Sequence, residues 1–595
     1  MSSAVSSAAN VSWDLSDLYA GVDDPRIEAD LQSAHERAKT FETTYRGKVG
    51  ETAAALLAAI TEMEGIYEQM DRSGVYASLV HAAKTDDPRH GALVAKTRER
   101  RTAINKHLIF FDLEWVALDD AKVDALLADG SLARYRHYLK QKRVWKPHYL
   151  SEPEEKILEE KSNTGRAAFM RLFDETAAGL RFTVEGEKEQ LSLQQVLAGL
   201  YNAERDVRRR SAEALTSGLQ ANAKLFTYIL NTLVLDHRID CTLRKHADVM
   251  MPRHLANEIE PAVVEALMTA TERHVGTVHR YYRLKARLLK IDQLEDFDRY
   301  APISAEMPVV DWPTARRVVE ESYEAFSPQA GKIVKEFFSR HWIDAELRTG
   351  KRGGAFSSSG VPSAHPYILM SYTDKLRDVM TLAHELGHGL HQYLSRGVGY
   401  LQCDTPLTTA ETASVFGEML TFKRLKELYP EPKTRLAMLC SKIEDGFATV
   451  FRQVTLTRFE QSLHKARHEE GELPTERINE LWIAANRPMH GDVVRLTPGY
   501  AWWWTYIGHF VHVPFYCYAY AFGELLVLAL VKKYEQDGAA FVPKYLEMLA
   551  AGGSRPPHEL VGSLGVDVTD PAFWELGLKL LGDMVSEAEQ LAHQE

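Results

Sequence analysis

Apolar residues recur at three- and four-residue intervals along most of this chain, the signature of amphipathic helices. From Ile27 to about Arg143 the sequence is rich in Ala, Glu, Lys, Arg and Leu, and Ala53-Ala54-Ala55-Leu56-Leu57-Ala58-Ala59-Ile60 is a run of strong helix formers. Leu180-Arg181-Phe182-Thr183-Val184 alternates instead and is followed by Glu185-Gly186-Glu187, which predicts a short hairpin. Helical periodicity resumes at Leu193 and holds to about Leu289. Between Ala345 and Tyr372 the pattern changes. Arg352-Gly353-Gly354-Ala355-Phe356-Ser357-Ser358-Ser359-Gly360 is too rich in Gly and Ser for a helix, and His365 to Tyr372 reads as extended, with Pro366 fixing its start. Helical periodicity then continues to the end, with no internal repeat. The expected class is mainly α, with a small β patch between about residues 345 and 372.

Composition narrows the picture. With 595 residues, 45% of them apolar and 26% charged, the chain exceeds what a single core usually organises. A disordered Ser/Ala-rich start (1–10), an N-terminal helical lobe (11–200) and a catalytic domain (201–595) are expected. The net charge of −12 argues against nucleic acid, since neutralising phosphates takes a basic surface. No secretory signal opens the chain. The longest late apolar tract, Phe522 to Val531, is interrupted by Glu524 and is about half of the ~20 residues that span a bilayer. Cys241, Cys403, Cys440 and Cys517 are scattered without C-x-x-C spacing, which predicts free thiols in a reducing compartment. A cytoplasmic protein without membrane contact is expected.

The chemistry lies at His384-Glu385-Leu386-Gly387-His388. A lone H-E-x-x-H proves little among 23 histidines, so the context must carry it. Thr373 or Asp374 predicts a helix start, after which Val379, Ala383, Leu386, Leu390 and Tyr393 form an apolar stripe. His384 and His388 lie one turn apart on another face. Neutral imidazoles so placed can share one zinc at about 2.0–2.1 Å, with Glu385 as the base that takes a proton from the attacking water. His391 lies about 10 Å along the axis from His384, too far to join them, and is assigned either to the groups that support the ligands or to the cleft. The longer pattern ending in Gly-x-x-His fails, because positions 391 and 394 are His and Leu.

A third ligand must then come from another element. Thr405-Pro406 predicts the start of the next helix, which carries Glu411 and Glu418 two turns apart on one face. Glu418, among Val415, Phe416, Met419 and Phe422, needs a cation or a histidine N–H. Glu411 is therefore assigned as the third zinc ligand and Glu418 as the carboxylate that holds a ligating histidine. The competing reading of Glu411 is a capping box with Thr408.

These residues resemble the oligoendopeptidase F branch of the thimet-oligopeptidase-like metallopeptidases. The likeness begins at Trp13-Asp14-Leu15-Ser16-Asp17-Leu18-Tyr19. It is densest from Gly354-Ala355-Phe356 through His365-Pro366-Tyr367 to Leu382–His388, and continues through Ala410-Glu411-Thr412-Ala413-Ser414 and from His509 to Gly523. The resemblance implies a large helical zincin-type metallopeptidase with a small β patch beside the active site, a deep substrate channel and one zinc per chain. It also implies cleavage of internal bonds in short unstructured oligopeptides. By similarity His384, His388 and Glu411 match the ligands and Glu385 the acid/base.

Peptide hydrolysis builds negative charge on the carbonyl oxygen, and Tyr and His are suitable donors to it. His509, Tyr516 and Tyr520 are assigned that role, the two tyrosines being one helical turn apart. Phe515, Tyr518 and Phe522 are assigned to the core. His512 is assigned to substrate binding, and Gly353, Gly354 and the strand from Tyr367 to Ser371 resemble the family's substrate-side edge, to which an extended peptide can add. Two rival readings stand beside this one. A zinc carboxypeptidase would need a cation such as Arg352 or Arg495 to grip a free carboxylate, and a catalytically silent peptide-binding protein would keep the fold without turnover.

Overall fold

The structure, a computed structural model, describes residues 6–303 and 307–594. It divides into two compact units, each assembled from distant segments: Met1–Lys146, Pro308–Tyr429 and Lys533–Asp567 in the first, Pro147–Met307, Pro430–Lys532 and Val568–Glu595 in the second. The expected boundary near residue 200 therefore falls inside the second unit. The N-terminal helices share one core with Val361, Ala364 and Tyr367, so long-range packing and not chain order defines the lobe. Of the stretch expected to be disordered, residues 1–5 lie outside the described residues. Ser6–Asn10 form a docked turn: Ala8 is buried, the Ser6 hydroxyl donates to the Tyr372 carbonyl at 2.7 Å, and the Ser7 N–H donates to the Asp374 carboxylate.

In the first unit, α1 (Pro25–Tyr45) starts where Asp24 accepts the Arg26 N–H and Pro25 opens the first turn. α2 (Ala53–Ala83) is capped by Thr52, which accepts from Ala55. The two pack through Ile27, Leu31, Ala34, Ala38 and Phe41 against Leu56, Ala59, Ile60 and Met63. Each large side chain so buried stabilises the unit by about 1.5–3 kcal/mol. Helices α3 (Trp312–Phe326) and α4 (Pro328–Ser339) precede the β patch of β1 (Ile343–Asp344), β2 (Phe356–Ser358) and β3 (Tyr367–Leu369). Strand order is β1-β3-β2, with β3 parallel to β1 and antiparallel to β2. The strand expected to be an open edge is thus the central one, buried throughout and paired on both sides. The outer strands are β1, buried, and β2, half-buried and starting two residues after Gly354.

α5 (Leu376–Ser395) carries the H-E-x-x-H motif. Its cap residue is Lys375, later than Thr373 or Asp374, because Asp374 takes a left-handed φ of 61° and Asp378 reaches back to accept the N–H groups of Thr373 (2.7 Å) and Lys375 (3.2 Å). The next predicted helix is broken in two: α6 (Leu407–Ala410) and α7 (Ser414–Leu428), with a turn at Glu411–Ala413. α7 packs along α5, and α8 (Phe541–Ala550) closes the unit, where the Tyr545 hydroxyl donates to the Thr412 carbonyl at 2.8 Å.

The second unit is built on the 39-residue helix Arg205–Leu243. Leu215, Leu219, Phe226 and Ile229 of that helix join Phe459, Leu463, Trp482, Trp503 and Trp504 in one core. The expected hairpin contracts to a single bridge between Phe182 and Leu191, turning through Gly186 at φ +90°. All four cysteines are free. Among the described residues no helix is long and apolar enough to cross a membrane.

Candidate metal centre

Three donor atoms converge between α5 and the turn at Glu411. His384 Nε2 and His388 Nε2 are 3.2 Å apart, and Glu411 Oε2 lies 3.4 Å from each. Tetrahedral donors at the ~2.05 Å zinc distance stand roughly 3.3 Å from one another, so this triangle has the size of one face of such a site. Among the described residues no other cluster of His, Cys, Asp and Glu places three donors this close. The donor set of two imidazoles and a carboxylate suits zinc and leaves a fourth position open.

Glu418 fixes the first histidine. Its Oε1 lies 2.6 Å from His384 Nδ1, so that nitrogen carries a proton and Nε2 is the atom turned to the centre. Ser414 steadies Glu411, donating its hydroxyl to Oε2 at 2.6 Å. Burial lowers the His384 pKa, but the hydrogen bond and charge of Glu418, with Glu411 and Glu385, outweigh it and lift the value to about 9. Burial pushes the Glu411 carboxyl up, while His388, His384 and Ser414 pull it down further, to about 2. Three carboxylates around two imidazoles form a cage that favours positive charge. Glu385 is buried beside them; burial raises its pKa, opposed by both histidines. His391 is also buried, and burial next to His388 drops its pKa to about 3, so it is neutral.

Two glycines allow this crossing. A Cβ on Gly387 would meet Ala413 O at 2.2 Å, and one on Gly417 would meet the Tyr323 hydroxyl at 1.8 Å. That hydroxyl donates to the Ala383 carbonyl at 2.8 Å, tying α3 to the motif helix. Beside the donors lies a cavity of about 560 Å³ lined by His384, Glu385, His388 and His391, and by Phe356, Ser357 and Ser359 of the outer-strand segment. Gln392, one turn after His388, bonds that strand twice: it accepts the Ser357 hydroxyl (2.7 Å) and donates to the Ser357 carbonyl (3.3 Å).

The remaining assigned residues are carried by other segments. Gly353 and Gly354 sit in an open loop, Gly354 at φ +83°, with nothing within 4 Å of a Cβ at either. His509, Tyr516 and Tyr520 belong to the second unit and form a cluster there: His509 Nε2 is 3.3 Å from the Tyr520 hydroxyl, and the two tyrosine rings meet edge to face at 5.0 Å. Tyr516 precedes the helix Tyr518–Asp537, so the pair meets through a bend and not as neighbours on one helix. Burial, with Arg452 and His512, lowers the His509 pKa. His512 pairs through Nε2 with Asp174 at 2.8 Å. Ser414, Tyr323 and Gln392 were not singled out from the sequence; only Ser414, three residues after Glu411, carried a readable signal.

A mainly helical fold with this donor set, two histidines of an H-E-x-x-H helix and a carboxylate from a separate turn, defines a metallopeptidase. The chain belongs to peptidase family M3, whose model matches residues 198–580, and the model of oligopeptidase F matches residues 114–182. Relatives span almost the whole length: an oligoendopeptidase F homologue of Lactococcus lactis subsp. lactis (28% identical, covering 98% of each chain) and the oligopeptidase PepF of Bacillus subtilis (26%, covering 97% of this chain and 87% of the relative). The crystal structure of oligoendopeptidase-F from Enterococcus faecium superposes with a TM-score of 0.70 at 24% identity, covering 96% of this chain and 99% of that one. A Chlamydophila abortus structure does so with a TM-score of 0.90 at 23% identity, covering 99% and 100%.

Proposed function

We propose that this protein is a zinc-dependent oligoendopeptidase with one zinc per chain, held by His384, His388 and Glu411. The observation that carries the reading is the triangle of donor atoms, sized for one face of a tetrahedral site, with Glu385 buried on the same cavity. Zinc bound there supplies Lewis-acid polarisation of the scissile carbonyl and acidifies the attacking water. Glu385 takes the proton from that water and passes it to the leaving amine. Glu418 holds the His384 ring in the tautomer that leaves Nε2 free. The outer edge of β2 offers backbone groups to an extended peptide, with Gly353 and Gly354 leading into it. His509, Tyr516 and Tyr520 are the candidate donors to the developing oxyanion, and His512 a candidate contact to the substrate.

The names of the full-length relatives support internal cleavage of oligopeptides over the carboxypeptidase reading. So does the state of one suggested grip: Arg495 is already paired with Glu295. The test joins metal analysis to turnover of an internally quenched peptide. One zinc per chain is expected, chelation should abolish turnover and zinc should restore it. Glu385→Gln should keep the metal and lose turnover. Full activity in metal-free protein refutes zinc dependence. Turnover by Glu385→Gln within about tenfold of the parent, a barrier change of only ~1.4 kcal/mol, refutes Glu385 as the base.

A further inference from the structure

The cavity beside the donor triangle has a second pole. β2 ends at Ser358, and two residues on Gly360 takes a left-handed φ of +68°. Ala355, Phe356, Ser357 and Ser359 line the cavity, and Ser358 does not. The two serines are committed differently: Ser357 to Gln392 and Ser359, through its hydroxyl, to Asp404 Oδ1 at 3.0 Å. Asp404 also lines the cavity and is exposed. That serine hydroxyl is its one side-chain partner among the described residues, and no Lys or Arg pairs with it. Among the described residues no Lys or Arg lines the cavity.

We propose that Asp404, oriented by Ser359, is the specificity determinant of a subsite that takes a basic side chain, so that the preferred substrates are peptides carrying Lys or Arg at one fixed position relative to the cut. The proposal rests on the reading of this centre as a peptidase whose substrate adds to the edge of β2. In an added strand, the residue opposite Ser359 presents its side chain on the same face as Ser359. That face is the cavity side, where an ammonium or guanidinium meets a carboxylate with no cation of its own. Neutral peptides still bind through their backbone, so the carboxylate ranks substrates and does not gate them.

The test uses the zinc-loaded full chain and a set of internally quenched peptides in which Lys, Gln or Glu is walked through every position flanking one cut. At one position Lys should raise kcat/KM over Gln by roughly five- to tenfold and Glu should lower it, mostly through KM. The preference should shrink as salt rises from about 0.05 to 0.5 M, because accessible charges are screened. Asp404→Asn should level the three peptides and Asp404→Lys should reverse their order. A parent that cuts the Gln peptides but prefers Lys at no position overturns the subsite alone, as does a preference that survives both substitutions. A zinc-loaded chain that cuts none of the peptides overturns the peptidase reading and the subsite with it.

Discussion

A Cβ placed on Gly387 would stand 2.2 Å from the carbonyl oxygen of Ala413 and 2.5 Å from Cα of Ser414. Both are backbone atoms, so neither can swing aside. The residue before His388 is therefore a glycine because the turn that delivers Glu411 lies directly on the motif helix. Close approach of α5 and that turn is what brings a carboxylate from a separate element to within 3.4 Å of both imidazoles.

Gly387→Ala should consequently act on metal binding as well as on stability. Overpacking of this kind costs about 1–3 kcal/mol, and here the strain is relieved only by moving Glu411 away from the histidines. Zinc affinity should fall at least tenfold, measured by competition with a chromogenic chelator, and the metal-free protein should melt lower. Gly276→Ala is the control. It lies within the helix Val275–Leu289 with nothing within 4 Å of an added Cβ, and should be neutral or slightly stabilising. Undiminished zinc affinity in Gly387→Ala would show that the turn does not depend on this contact.

Glu411 and Glu418 make a second contrast. Glu411 faces the Nε2 side of the histidines, while Glu418 holds Nδ1 of His384 from behind. Removing a carboxylate that only orients a ligand typically costs about 10–100-fold in affinity or activity. Glu418→Ala should fall in that range and Glu411→Ala should lose more, because a ligand itself goes. Zinc dissociation constants in the opposite order would exchange the two roles.

The seven-residue spacing pointed to these two carboxylates for a reason the structure does not share. They do not sit on one continuous helix: the chain breaks at Glu411–Ala413, and the two approach His384 from opposite sides. Nothing local announces that break, since it is held by Gly387 underneath and by Tyr545 bonded to Thr412, contacts made over long separations. The motif helix, by contrast, was legible from its apolar stripe, which is a local property. Strand order was not. The Gly/Ser stretch and the apolar run after Pro366 marked extended chain, but which of them is the edge depends on the pairing of β3 with Ile343–Asp344, and burial on both faces leaves no alternation to read. The division into units escaped for the same reason, because the core that joins α1 and α2 to Tyr367 bridges some 300 residues of chain.

In the second unit a buried acid predicts a pH dependence of stability. Glu460 is 1% exposed and accepts the N–H of Phe515 at 2.8 Å, where Phe515 holds a left-handed φ of 57°. Burial pushes its carboxyl from 4.5 up to about 8, only partly offset by the Phe515 hydrogen bond and Arg253. Among its neighbours, burial lifts the Cys517 thiol above its usual range and holds His464 neutral, at about 3 against 6.5 in the unfolded chain, so His464 contributes with the opposite sign below 6.5 in parent and variant alike. His237 shifts down from 6.5, and Arg253 shifts down from 12.5, both through burial. The folded protein keeps a proton on Glu460 that the unfolded chain releases above 4.5, so the contribution of this group to stability falls as pH rises from about 4.5 to about 8. The slope from this group is at most about 1.4 kcal/mol per pH unit. Glu460→Gln keeps an acceptor for Phe515 and cannot ionise. At saturating zinc, its melting temperature relative to the parent should therefore climb between about pH 5 and pH 8. A constant difference across that range would mean that Glu460 is not held protonated.

The last prediction concerns what the centre can admit. A peptide adding to β2 must offer its own backbone N–H and C=O groups, and in a folded protein those groups are already paired. Cleavage should therefore be confined to unstructured segments, and under the oligoendopeptidase reading to short ones of roughly 5 to 20 residues, which extended span about 17–66 Å. The cuts should fall at internal bonds, because backbone pairing needs chain on both sides of the scissile bond and no free carboxylate has to be gripped. A C-terminally amidated peptide and its free acid should thus be cut at the same bond and at similar rates. One mass-spectrometric digest can hold both forms, a long unfolded protein such as casein, and a folded protein. A strong preference for the free acid, with release of single C-terminal residues, would revive the carboxypeptidase. Casein cut as readily as the short peptides would leave strand addition standing and remove the length limit.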